Sequence, residues 1–308
     1  LPFFHVTGMS GSMNSPIYSG SISVIMTRWE RTTAARLIER YQVSGWTNIV
    51  TMAVDFLSNP DLDKYDISSL KTIGGGGAAM PSAIAEKLKS RTGLDYIEGY
   101  GLSETMAATH INPPDAPKTQ CLGVPVFDVD SRIIDLETLA EKGPDEVGEI
   151  VSHGPQVTIG YWNRPDETRN AFIEIDGKSF FRTGDLGYFD EHGYFFMVDR
   201  VKRMINASGF KVWPSEVESL MYRHPAIHEC CIISTPDPKR GESVKACIVP
   251  TQEAWSTIAA DDIRDWCRQM MAAYKVPNEI EFVDELPKSP TGKLMWRSLQ
   301  EKEWKASS

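Results

Sequence analysis

Thr183-Gly184-Asp185 is a short run whose residue types could do chemistry. An ionised carboxylate is an acceptor only, and Asp185 could take two hydrogen bonds from vicinal hydroxyls, the arrangement a ribose presents. A solvated turn is the plainer account of the same three residues. Gly74-Gly75-Gly76-Gly77-Ala78-Ala79 is a second candidate: it satisfies G-x-G-x-x-A, and Glu98 follows at roughly the ~20-residue distance of a dinucleotide-binding acid. Asp199-Arg200-Val201-Lys202-Arg203 forms a charged knot in a strand-rich region. The turn-rich run Leu286 to Leu294 carries Lys293 directly after Thr291-Gly292, although a lysine in an exposed loop usually only solvates it.

Elements to position these residues are legible in outline. Apolar residues at helical spacing predict a helix from about Thr33 to Tyr41 capped by Thr32 or Thr33, and Ile49 to Met52 reads as a buried strand. Leu70 to Ile73, the glycine loop, Pro81 to Arg91 and Tyr96-Ile97 predict a βαβ unit. Beyond about Pro113 alternating residues predict half-buried strands, with a short helix from Thr168 to Phe172. Phe180 onward predicts a meander with tight turns at Gly184, Gly187 and Gly193. Pro214 fits a first helical position, with Glu216 and Glu218 on the positive end of the dipole. Strands from Glu229 to Ser234, Ser243 to Val249 and Ile280 to Val283, a helix from Asp261 to Ala273 with Ile263, Trp266, Met270 and Met271 inward, and a terminal helix from Met295 to Trp304 complete a small α+β unit. Adjacent Cys230 and Cys231 should alternate, one into the core and one away.

These motifs occur in a fixed order. Leu-Pro-Phe-Phe-His5, the glycine run, Glu98-Gly99-Tyr100-Gly101-Leu102-Ser103-Glu104-Thr105, Thr183-Gly184-Asp185, Asp199 to Lys202, Gly209 and Thr291-Gly292-Lys293 resemble the adenylate-forming enzymes: acyl-CoA synthetases, amino-acid adenylation domains and beetle luciferases. Asn206 to Pro214 looks most like medium- and long-chain fatty acid–CoA ligases. A Rossmann oxidoreductase is disfavoured because Pro81 follows the glycines and the second strand ends in the Tyr-Gly-x-Ser-Glu run.

The resemblance implies roles residue by residue. Gly76, Gly77 and Ala78 would cradle adenine by their backbone, Tyr100 would stack on it, and Asp185 and Arg200 would hold the ribose. Ser103 would contact the α-phosphate, Glu104 would bind Mg²⁺, and Lys211 would meet phosphate. His5 would gate the acyl tunnel. Lys202 would be the hinge, Gly209 would lie where the thiol of coenzyme A approaches, and Lys293 would serve attack of the carboxylate on ATP. Gly148-Glu149-Ile150 through Gly160-Tyr161-Trp162 also resembles a family motif; its glycines and aromatics are expected to shape a barrel wall. The implied fold is α/β and α+β: residues 1–199 part of a large lobe (1–110 α/β, 111–199 β-rich), and 200–308 a small mobile domain. The implied activity is activation of a carboxylic acid by ATP, then transfer to CoA. An amino-acid adenylation domain, a luciferase-like oxygenase and a non-catalytic nucleotide-binding piece stay open as alternatives.

Composition bounds the rest. Hydrophobic residues at 41% and charged residues at 24% are ordinary for a globular chain with a sizeable core. A net charge of −10 argues against a general nucleic-acid binder. Five cysteines lack metal-site or disulfide spacing and read as reduced thiols, an expectation of a cytoplasmic protein. No apolar run approaches the ~20 residues of a membrane helix. The resemblance also predicts a Ser/Thr-Gly-rich triphosphate loop upstream of His5, so the sequence reads as the second part of a longer pattern; oligomeric state, a homo-oligomer included, is left open.

Overall fold

A computed structural model describes residues 1–77, 79–106, 108–289 and 292–306. The chain divides into two compact units, Leu1–Met197 and Val198–Ser308. The architecture is mixed, α/β in the first part and α+β in the last.

Unit 1 begins with a π-helical turn Gly8–Asn14 and α1 (Ser15–Ser19), then α2 (Arg31–Tyr41), β1 (Gly45–Asn48) and α3 (Val50–Leu57). Helix α2 is capped by Glu30 rather than by Thr32 or Thr33: its carboxylate accepts the N–H groups of both threonines at 2.8 and 2.7 Å. A side chain before the helix can reach the orphan donors of the first turn, which residues inside it supply. Hydrogen bonds from Thr33 and Thr32 hold that carboxyl down at about 2. The strand expected over Ile49 to Met52 is a helix instead, because Ala53, Val54 and Phe56 extend the apolar pattern at helical spacing and are all buried.

Strand β2 (Thr72–Gly76), α4 (Ser82–Thr92) and β3 (Tyr96–Gly101) form the βαβ unit. The first sheet is ordered β1-β2-β3-β4-β5, with β4 (Ala108–Ile111) and β5 (Val124–Pro125) antiparallel at one side and β1, β2 and β3 parallel. Gly74, Gly75 and Gly76 are strand, not loop. A Cβ on them would lie 2.4 Å from Ile97 O, 1.8 Å from Asn48 O and 2.1 Å from Gly99 O, so neighbouring backbone fills the space their missing side chains would otherwise leave as a roomy pocket. Ala35, Ile38, Phe56, Leu70 and Ile73 form the core on this sheet.

The second sheet is ordered β10-β9-β7-β6, with β8 on β9. Its strands are β6 (Asp130–Ile134), β7 (Gly148–His153), β8 (Phe172–Ile175), β9 (Lys178–Phe189) and β10 (Phe195–Arg200), and α5 (Pro165–Asn170) precedes β8. Where short strands with turns at Gly184 and Gly187 were expected, β9 runs through both. Opposite β7 its register passes from Arg182↔Val151 to Leu186↔Glu149, so Thr183-Gly184-Asp185 is a bulge facing Ile150. Gly184 takes φ 70° there, and only Gly193 makes a turn between strands.

Unit 2 holds β11 (Ile205–Ala207), β12 (Phe210–Val212), α6 (Pro214–Met221), β13 (Ile227–Asp237), β14 (Gly241–Pro250), α7 (Ala260–Met270), β15 (Glu279–Phe282) and α8 (Trp296–Ala306). The sheet order is β12-β11-β14-β13, with β15 parallel to β14. Helix α7 turns Ile263 and Cys267 inward, whereas Met270 is exposed. Cys230 and Cys231 are both buried, at 1% exposure each. Alternation still holds, but both faces of β13 are covered: Cys230 Sγ lies 3.8 Å from Glu218 O of α6, and Cys231 belongs to the cluster packed by Trp296 and Leu299 of α8. Cys121, Cys247 and Cys267 are buried too, and burial raises their thiols to about 11. No described helix is long and apolar enough to cross a membrane.

Candidate functional site

In unit 1 the fold gathers residues from distant parts of the chain. Tyr100, from β3, donates its hydroxyl to Asp185 Oδ2 of the β9 bulge at 2.7 Å. The bulge is itself tied down. Thr183 Oγ1 donates to Ile150 O at 2.7 Å and accepts the Asp185 N–H at 3.1 Å, and the Gly184 N–H donates to Glu149 Oε1 at 3.0 Å. Glu149 in turn receives Arg182 Nε and Nη2 on its other oxygen, at 3.0 and 2.6 Å. A buried carboxylate is thereby matched by an arginine fork, the arrangement that makes such a pair tolerable.

Burial bears on the assigned roles. Asp185 is fully buried and Tyr100 is 8% exposed, its ring packed with Leu122, Ile133, Ile150 and Phe195 and tilted against His110. The ring is thus largely covered by protein. His110 is sandwiched between Tyr100 and Phe195, with Nδ1 3.0 Å from Thr109 Oγ1 and no partner for Nε2 among the described residues. Burial lowers its titration to about 3.

Glu98 points beside the glycine strand. Its Oε2 accepts the Met80 N–H at 3.2 Å, and burial pushes the carboxyl up to about 8 against the pull of that hydrogen bond. Gly77, just after β2, has φ 87°, and a Cβ there would meet Ile49 Cγ2 in ordinary contact at 4.0 Å; Gly76 is in the strand, and Ala78 lies outside the described residues.

The β3 strand leads into a single turn, Ser103–Thr105. Thr105 Oγ1 accepts the Leu102 N–H at 2.9 Å and donates to Leu102 O at 3.0 Å, which fixes the turn. Ser103 is exposed and Glu104 half-buried. Glu104 Oε1 accepts the Tyr161 hydroxyl at 2.9 Å, and Glu104 O accepts the Thr158 N–H at 2.6 Å. Among the described residues no group of three metal-ligating side chains occurs. One carboxylate with an oxygen left over is a poor zinc cage but fits Mg²⁺, which takes one or two carboxylates and completes its shell with phosphate and water. His5 makes local bonds, accepting the Thr7 N–H on Nδ1 at 3.3 Å.

In unit 2 Lys202, Gly209 and Lys293 sit on turns, Lys211 lies in β12 and Arg200 ends β10. Lys202 is exposed in a single turn, Val201–Arg203. Either side of it the chain is anchored: Asp199 accepts the N–H groups of Arg200 and Ser215 at 2.6 and 2.8 Å, and Arg203 forks onto Glu218 at 2.6 and 3.3 Å. Glu218 Oε1 also accepts the Ile232 N–H. Arg200 is half-buried and Lys211 exposed.

Ser208 and Gly209, at φ 56° and 85°, are the two central residues of the β11–β12 hairpin, where both positions need positive φ. The Gly209 N–H donates to Asn206 Oδ1 at 2.9 Å. Lys293 is exposed on a turn closed by Ser289 N–H to Lys293 O at 2.8 Å and Gly292 N–H to Ser289 O at 2.8 Å; Pro290 and Thr291 lie outside the described residues. A cavity of about 260 Å³ bordered by Ile233, Cys247, Glu281, Leu299 and Glu303 contains none of the predicted residues.

Sequence reasoning missed the Tyr161–Glu104 contact and the Glu149–Arg182 brace. Tyr161 was visible in the Gly-Tyr-Trp run, but nothing in one sequence says that a residue 57 positions on reaches Glu104.

Residues 1–162 match the AMP-binding enzyme family, and residues 216–293 match the AMP-binding enzyme C-terminal domain. The chain belongs to the AMP-binding enzyme family. It is 38% identical over 304 residues to a long-chain-fatty-acid–CoA ligase of Bacillus subtilis (strain 168), across 98% of this chain and 53% of that protein. It is 34% identical to a probable 4-coumarate–CoA ligase 1 of Dictyostelium discoideum, over 98% of this chain and 54% of the relative. A crystal structure of the anthranilate CoA ligase AuaEII in complex with anthranoyl-AMP superposes with a TM-score of 0.90 at 30% identity, covering 99% of this chain and 59% of that one. The chain therefore spans about half the length of the curated relatives it matches.

Proposed function

We propose that the chain carries the nucleotide-, thiol- and acyl-transfer residues of an AMP-forming acid–CoA ligase, with a fatty acid as substrate, and that the loop gripping the β- and γ-phosphates of ATP is supplied by sequence outside these 308 residues. The reading is supported above all by the 2.7 Å contact that joins Tyr100 and Asp185 across 85 residues of chain, uniting two motifs the family resemblance assigns to one nucleoside. The kinship to a long-chain-fatty-acid–CoA ligase favours the acid; the kinship to a probable 4-coumarate–CoA ligase keeps an aromatic acid as the second candidate.

A carboxylate cannot be converted directly to a thioester, because its oxygen leaves poorly and its charge repels nucleophiles. Attack of the carboxylate on the α-phosphorus of ATP would displace pyrophosphate and form an acyl-adenylate, from whose carbonyl the CoA thiol would then displace AMP. Asp185 would hold the ribose hydroxyls, with Arg200 beside it, and Ser103 would donate to the α-phosphate. Gly76, Gly77 and Ala78 would present backbone to adenine, Tyr100 would contact the same base, and Lys211 would meet phosphate. Mg²⁺, held by Glu104, would offset phosphate charge. Lys293, a compact ammonium on a flexible stem, suits a phosphoryl oxygen and a carboxylate brought together. Lys202 would be the pivot between the large lobe (1–199) and the small mobile domain (200–308) that the resemblance implies. Gly209 would admit the CoA thiol, and His5 would gate the acyl group.

Isothermal titration with AMP tests the nucleoside reading. Binding to the wild-type chain, and a loss of about 10-fold or more in Asp185→Ala, is expected from removal of charge-assisted hydrogen bonds; no AMP binding, or unchanged affinity in the variant, would remove Asp185 from the site. Lys293→Ala tests the rest in a chain carrying the triphosphate loop. Adenylate formation should fall ~10²-fold, while a supplied acyl-adenylate still passes to CoA.

A further inference from the structure

We propose that Tyr161 is a positioning residue for the divalent cation: its hydroxyl holds Glu104 in the one orientation that leaves Oε2 to bind the ion. The inference rests on the reading of Glu104 as the metal carboxylate.

The contact is built rather than incidental. The segment carrying Tyr161 grips residue 104 twice, through the Thr158 N–H on Glu104 O at 2.6 Å and the Tyr161 hydroxyl on Glu104 Oε1 at 2.9 Å. Tyr161 is itself held from behind, where its N–H donates to Thr168 Oγ1 of α5 at 2.9 Å, and that hydroxyl donates on to Arg164 O at 2.8 Å. Gly160 lets the two approach. Its φ is 147°, and a Cβ there would stand 2.6 Å from the Thr168 side chain. Thr158 Oγ1 closes the loop onto Gly160 O at 3.1 Å. A short helix thus fixes a threonine, the threonine fixes a tyrosine, and the tyrosine fixes a carboxylate.

One property follows for the carboxylate. A ligand oxygen whose partner oxygen is hydrogen-bonded loses rotational freedom before the ion arrives, and outer partners of this kind typically change metal affinity by ~10- to 100-fold.

The test uses Mn²⁺ as probe, read by electron paramagnetic resonance with AMP present, alongside AMP titration without metal and thermal unfolding. Glu104→Gln should abolish nucleotide-dependent Mn²⁺ binding. Tyr161→Phe should weaken it about 10-fold while leaving metal-free AMP affinity and the unfolding midpoint at wild-type values. If Glu104→Gln weakens Mn²⁺ and Tyr161→Phe does not, the proposal is overturned and the Glu104 reading stands. If the wild-type chain binds no Mn²⁺ with AMP, or Glu104→Gln changes nothing, the Glu104 reading falls and the proposal with it. A Tyr161→Phe chain that loses AMP affinity or melts earlier would make Tyr161 a packing residue and overturn the proposal. Should that variant not fold, Thr168→Val keeps the tyrosine hydroxyl and removes only its brace; weaker Mn²⁺ binding supports the proposal, and unchanged binding overturns it.

Discussion

Tyr100, Asp185 and Glu104 of unit 1 and the turn and edge-strand residues of unit 2 are held in opposite ways. In unit 1, Asp185, Tyr100 and Glu98 are buried and bonded to protein, and Glu104 is gripped by a neighbouring loop. In unit 2, Lys202, Gly209, Lys211 and Lys293 are exposed on turns or a short edge strand, and the tight bonding belongs to the anchors Asp199, Arg203 and Glu218 behind them. The first pattern suits groups that must receive a ligand at a set distance without reorganising. The second suits groups that reach a ligand by moving, with the rigidity placed one layer back. Even the glycines divide this way. Gly75 is required by the approach of another strand, Gly209 by a backbone angle alone.

The contrast can be broken most forcefully at the anchors. Arg203→Ala would leave the Glu218 carboxylate buried without its partner, a loss of about 3–5 kcal/mol measurable by urea denaturation. Little change would mean that unit 2 is not braced by this pair.

Glu98 gives the next largest effect, and it depends on pH. A carboxyl raised from its unfolded value near 4.5 to about 8 is protonated in both states at low pH. As pH rises through this window the unfolded state ionises first, so stability falls by up to about 1.4 kcal/mol per unit of separation. Glu98→Gln should match wild type near pH 4 and exceed it by several kcal/mol near pH 9; parallel stability–pH curves would sink the assignment. His110 works the other way. Lowered to about 3, it costs stability as pH falls from 6.5 toward 3, and His110→Phe should flatten that acid limb.

The glycines supply the finer test. Gly75→Ala should cost about 1–3 kcal/mol or more, because strands must part to admit the methyl. Gly209→Ala meets no atom within 4 Å and should cost only about 1 kcal/mol for its left-handed backbone. Equal losses at the two positions would erase the distinction between them.

Local chemistry made much of this architecture legible. Proline at the start of α6, the glycine stop of α4 and the apolar runs of β13 and β14 mark elements that the fold contains. Failures came where a neighbour decides. Val50 to Leu57 is apolar enough for a buried strand, and only its helical spacing separates the two readings. The glycine run looked like a loop because close approach to β1 and β3 is a property of the sheet. Met270 ends an amphipathic stripe and stays 39% exposed. Of the site, the residue types were readable in their motifs, but the bonds between them were not: the Tyr100–Asp185 contact and the Tyr161–Glu104 contact each need a tertiary fold to exist.

The burial of the five cysteines has a practical consequence for watching the chain move. The thiolate is the species that alkylating reagents attack, and a thiol near 11 is ionised at pH 7 in only about one molecule in ten thousand. Cys230 and Cys231 are raised further by burial and lie under two helices. The natural thiols are therefore silent toward maleimides while the protein stays folded. A cysteine introduced at exposed Lys202 would carry a fluorophore or spin label alone, against a dark background, with every native residue of both cores left in place.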